Sequence, residues 1–101
     1  MKKISITKMI PNRIVVCGGV PAWINSMKHT FSDIQFYDAM PDRQALQNAD
    51  TIFFQTHAMN HKYYYRAINI ARKMNKRVEY FEAKSFSRCR DQLIAYMNCC
   101  S

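Results

Sequence analysis

Apolar and polar positions along this chain follow two rhythms, a strand rhythm and then a helical one, repeated four times over. Residues 13–17, Arg13-Ile14-Val15-Val16-Cys17, form an almost unbroken apolar run, as expected of a strand covered on both faces. Val20, Trp23, Ile24, Met27 and Phe31 then recur at helical spacing, which predicts a helix over 20–31 with Pro21 in its first turn. Ile34-Gln35-Phe36-Tyr37 alternates and reads as a second strand suited to a sheet edge. Pro41-Asp42 opens a short helix through Ala49. Residues 51–56 are a third strand, again nearly continuous in apolar character. Asn60 is a good N-cap for a helix from His61 to about Asn75, with Tyr64, Ala67, Ile68, Ala71 and Met74 on its inner face. Residues 77–82 are a fourth strand. Ser85 caps a last helix whose inner face is Phe86, Cys89, Leu93, Tyr96 or Met97, and Cys100.

Strand and helix alternating in this way predict an α/β fold: a three-layer α/β/α, Rossmann-like domain around a four-stranded parallel sheet. The two most apolar strands, the first and third, belong in the centre, which gives the order 2-1-3-4. Residues 1–12, closed by Pro11-Asn12, read as an N-terminal arm or extra edge strand, and 13–101 as a single domain. In such a sheet the ligand crevice is expected where the strand order reverses, at the carboxyl ends of strands one and three.

That rule gathers specific side chains. Strand one ends in Gly18-Gly19, the only two glycines of the 101 residues, a place where the backbone needs positive φ or a close approach. Strand three delivers Thr56 and His57, and the following helix starts at His61. Strand four leads to Lys84 and Ser85. Helix N-termini and these donors suit a phosphate or carboxylate, so an anionic ligand, a nucleotide or phosphate, is expected at Gly18, Gly19, Thr56, His57, His61, Lys84 and Ser85. The glycine pair also fits tight strand-to-helix packing with no ligand at all. No cofactor is implied: Asp38 lies about twenty residues beyond Gly18, but the adjacent glycine pair is not G-x-G-x-x-G, a third glycine is absent, and no Walker A Gly-Lys-Ser or Gly-Lys-Thr occurs. Cys17 at a strand end invites comparison with phosphocysteine chemistry of the phosphotransferase IIB type. Its loop, Gly-Gly-Val-Pro-Ala-Trp, offers few side-chain donors, and position 23 is Trp where a tyrosine phosphatase needs Arg. The expectation is a binding domain with a regulatory or assembly role, not an enzyme.

Charge widens the list of partners. Fifteen Lys and Arg oppose seven Asp and Glu, a formal +8, which attracts anions. Lys62, Arg66 and Lys73 lie on the helix from His61 beside Tyr63 and Tyr65, and the last helix adds Arg88 and Arg90. Basic residues interleaved with tyrosine can grip a phosphate backbone and stack on bases, so nucleic-acid binding is the alternative; a merely solvated charged face is the plainer one. The 49% hydrophobic content, with thirteen aromatic residues, argues against disorder. No apolar run approaches the length of a membrane span, and the first residues lack the apolar core of a leader, so a cytoplasmic protein that does not engage a membrane is expected. Cys17, Cys89, Cys99 and Cys100 make no C-x-x-C pair, and His57 and His61 lack a metal-site pattern, so no metal is assigned. An open four-stranded sheet leaves edges to be covered, which makes a homodimer possible.

Ile14-Val15-Val16-Cys17-Gly18-Gly19, the Ala49-Asp50-Thr51-Ile52 approach to strand three, and Thr56 and His61 ahead of Ala67 and Lys73 together resemble the small bacterial family called domain of unknown function 2325. The resemblance covers about residues 13–96. It implies a Rossmann-like fold and recurrent positions at Gly18, Gly19, Thr56 and His61, and no established activity. Val20-Pro21 departs from the family's usual turn.

Overall fold

The structure, a computed structural model, describes residues 13–39 and 41–100; the expected arm at 1–12 lies outside them. The element order is β1 (Ile14–Cys17), α1 (Pro21–Thr30), β2 (Gln35–Tyr37), α2 (Arg43–Asn48), β3 (Thr51–Phe54), a 3-10 turn (Thr56–Ala58), α3 (His61–Lys73), β4 (Arg77–Tyr80) and α4 (Phe86–Cys100). All four strands are parallel, in the order β2-β1-β3-β4. This is the three-layer, Rossmann-like topology that the apolar pattern predicts.

The centre of the sheet is set by composition. β1 and β3 are buried at every residue, because helices cover both faces. On one face Ile14, Val16 and Phe53 pack against Trp23, Ile24 and Met27 of α1 and Cys89 and Leu93 of α4. On the other, Val15, Cys17, Ile52 and Phe54 meet Leu46 of α2 and Ala67, Ile68 and Ala71 of α3. The alternation along each strand therefore assigns its residues to two separate apolar clusters.

Local chemistry sets the helix ends. Asp42 accepts from Ala45 N at 2.7 Å and caps α2, and Asn60 accepts from Lys62 N at 2.8 Å and caps α3. Val20 departs from the expected inner face of α1. It is the N-cap, extended at φ −82° and ψ 158° and 53% exposed, because Pro21 takes the first helical position and the helical period begins only there. Asn75 ends the α3 segment with φ 58°, the left-handed turn that asparagine tolerates.

Candidate functional site

The crevice expected between the ends of β1 and β3 is closed by the chain itself. Gly18 and Gly19 have φ of +96° and +116°, so the backbone does require glycine at both positions. Their amides, however, are bonded internally: Gly18 N donates to Tyr37 O at 2.8 Å and Gly19 N to Ala58 O at 3.0 Å. A Cβ on Gly18 would lie 2.8 Å from Gln55 O, and one on Gly19 would lie 2.4 Å from the Trp23 ring. The pair is a packed turn over which the 3-10 segment Thr56–Ala58 folds back. Neither N–H group is aimed at a ligand.

Gln55 holds that segment in place. It is 2% exposed, and its backbone continues from β3, with N donating to Cys17 O at 2.9 Å. Its side chain donates to Ala83 O at 3.0 Å and lies 3.4 Å from Cys89 Sγ, while its Oε1 accepts from His57 N at 3.4 Å. One buried amide thus joins the end of β3 to the β4–α4 connection and to α4. In the sequence it looks like an ordinary polar residue at a strand end.

The open space lies one strand further along. Thr56, Met59, His61, Tyr64, Tyr65 and Tyr80 line a cleft of about 310 Å³ at the carboxyl ends of β3 and β4, on the α3 side. The register that pairs Phe54 with Tyr80 brings the β4 tyrosine beside α3. Tyr64 and Tyr80 hydroxyls meet at 3.0 Å, and this hydrogen bond, with burial second, pushes the Tyr64 phenol above its ordinary range. His61 stacks on Tyr65 with centroids 6.4 Å apart and planes 27° from parallel; Tyr65 is 60% exposed. The wall offers flat aromatic surface with hydroxyl and imidazole groups at its rim.

Of the expected ligand residues, Thr56 and His61 meet in this cleft and the others do not. His57 is exposed on the 3-10 turn and outside the cleft lining. Lys84 and Ser85 are exposed on the connection to α4, which packs on the opposite face of the sheet from α3. Met59, Tyr64 and Tyr80 carry no sequence signal of a site. The helical spacing of Tyr64 reads as core and Tyr80 reads as an ordinary strand residue; only the strand register reveals a shared wall.

Cys17 is a core residue. It is fully buried, and burial pushes its thiol up to about 12, which disfavours the thiolate that phosphocysteine chemistry needs. Cys89 is also buried and its thiol is raised by burial. Among the described residues, no three His, Cys, Asp or Glu side chains cluster as they would around a metal ion. No helix among them is long and apolar enough to cross a membrane. A larger hollow, about 830 Å³, lies along the edge strand β2. Among the described residues, Asp33 and Asp42 on its wall oppose the single cation Arg13, a lining that does not favour an anion.

The basic residues divide between layers. Lys62, Arg66 and Lys73 are exposed on α3, whereas Arg88 and Arg90 belong to α4 on the other face. Arg90 is engaged by Asp91 at 3.1 Å and lies over the Phe86 ring. No family model, no curated protein and no solved structure matches the chain.

Proposed function

We propose that this domain binds a nucleotide-like anion in the tyrosine-lined cleft at the ends of β3 and β4, and works by binding and not by catalysis. The observation that carries the reading is the meeting of Thr56 and His61 with Tyr64, Tyr65 and Tyr80 around one opening. Aromatic faces suit a planar base, because stacking tolerates any ring and adds roughly 1–3 kcal/mol per base. The α3 N-terminus beside the cleft has no acidic residue in its first turn, and the chain carries a formal +8, so a phosphate meets no local repulsion. Calorimetric titration with ATP, AMP and inorganic phosphate tests it. Saturable binding of a nucleotide, weakened by Tyr65→Ala and much weaker for phosphate, is expected. No heat with any nucleotide, or binding indifferent to Tyr65→Ala, overturns it.

A second reading is favoured by one feature of α3. Tyr63 and Tyr65 are exposed beside Lys62 and Arg66, and residues 61–73 contain no acidic side chain. This is the composition of a stacking platform for a single-stranded nucleic acid. Arg88 and Arg90 extend that reading only as a separate patch. The kinship with the domain of unknown function 2325 family, a bacterial origin and a cytoplasmic location belong to the same proposal. They rest on the quoted motif residues and on the free thiols of Cys17, Cys89 and Cys99.

A further inference from the structure

Among the described residues, β4 is an outer strand of the sheet, and several of its outward backbone groups have no partner. Arg77 N donates to Asp50 O and Phe81 N to Phe54 O, so the odd-numbered residues of this strand face β3. The N–H and C=O of Val78, the N–H of Tyr80 and the C=O of Lys76 consequently point away from the sheet. Among the described residues nothing bonds to them. Two residues on, the edge is closed by a side chain: Gln92 Nε2 donates to Tyr80 O at 2.7 Å, and its Oε1 accepts from Glu82 N at 3.0 Å. Its amide stands in for a neighbouring strand's peptide group. Among the described residues, the open part of this edge is therefore the Lys76 C=O, the N–H and C=O of Val78 and the Tyr80 N–H.

We propose that this edge pairs antiparallel with the same edge of a second copy, about a twofold axis at Val78. Only outward-facing residues can exchange hydrogen bonds across the axis, which leaves three short registers. Centring on residue 77 sets Arg77 against the partner's Arg77, and centring on 79 sets Glu79 against the partner's Glu79. Centring on Val78 sets Arg77 against the partner's Glu79 twice over, in the non-hydrogen-bonded positions where side chains come closest. Arg77 and Glu79 already pair within one chain at 3.1 Å, so the dimer forms an alternating square of four charges. In this register Val78 exchanges two bonds with its counterpart, and each Tyr80 N–H reaches the partner's Lys76 carbonyl. The position that Gln92 occupies is the one facing the partner's Asn75, where the left-handed turn takes the chain away from the edge. The blocked stretch and the turn thus fall opposite one another, and the two sheets join into one of eight strands.

Sedimentation velocity at about 0.15 M salt, where the Debye length is about 8 Å and the repulsion of two basic copies is screened, reads the outcome. Wild type is expected to dimerise. Val78→Pro removes an N–H that bonds nothing within the chain, so it is expected to give a monomer with an unchanged circular dichroism spectrum. Glu79→Arg places like charges opposite one another and should raise the dissociation constant about tenfold or more, and R77E/E79R should restore it. The charge pair keeps the test open if the proline variant folds poorly. A monomer at every concentration overturns the proposal. So does a dimer indifferent to both single changes, or one that pairs only with another protein.

Discussion

The Gln55 side-chain amide donates to the Ala83 carbonyl at 3.0 Å, 28 residues away in sequence, and so ties the end of β3 to the connection that leads into α4. Replacing Gln55 with Leu keeps the volume but leaves His57 N without its acceptor and the Ala83 carbonyl with only the weak Cys89 thiol donor. The expected loss is about 1–3 kcal/mol in urea denaturation, with an unchanged m-value.

The glycine pair predicts a different failure. Gly19→Ala drives a methyl group into the Trp23 ring and holds alanine at φ +116°; Gly18→Ala meets a backbone oxygen at φ +96°. Each is expected to cost about 2 kcal/mol or more, seen as a lower Tm with no ligand present. A stability unchanged in both variants would show that the turn is not packed as described.

Alkaline pH tests the core thiol. Cys17 ionises at about 12 when folded against 9.0 as the ordinary value, so the unfolded chain gives up its proton first. The resulting stabilisation is complete below pH 9 and falls as pH rises from 9 to 12, on the order of 1 kcal/mol per unit. Cys89 adds in the same direction. Cys17→Ala should flatten this slope in denaturation series across that range. At pH 8 a thiol reagent should label the exposed Cys99 of the native protein and spare Cys17 and Cys89.

For the nucleic-acid reading, binding of a short oligothymidine across a salt series should give a log–log slope that falls by about 0.7 for each phosphate the protein no longer neutralises. Lys62→Ala and Arg66→Ala are each expected to reduce that slope. Arg90→Ala, whose guanidinium is held by Asp91, should leave it unchanged.

Much of the fold is readable from the residues because each cue is local. The unbroken apolar runs of β1 and β3 require cover on both faces, and that places them in the centre. Asn60 and Asp42 cap the helices they precede. Val20 misleads because helical spacing carries through a residue that Pro21 turns into a cap. The site is less legible. Thr56 and His61 follow from the rule for strand ends, but the cleft wall also needs Tyr80, which reaches them only through the register of β4 on β3. The closure of the β1–β3 crevice depends on a 3-10 turn held by Gln55, and no local spacing announces a buried glutamine.

Domains of this topology commonly offer their ligand main-chain amides at the first strand-to-helix turn. Here those amides are tied up within the chain, by Tyr37 and Ala58. On the proposed reading, a guest at the β3–β4 cleft meets the side chains of Thr56, His61, Tyr64, Tyr65 and Tyr80 instead. Amide recognition survives most substitutions, since every residue except proline carries the donor; aromatic recognition does not. On that reading, single tyrosine substitutions would rewrite the ligand preference without touching the backbone that supports them.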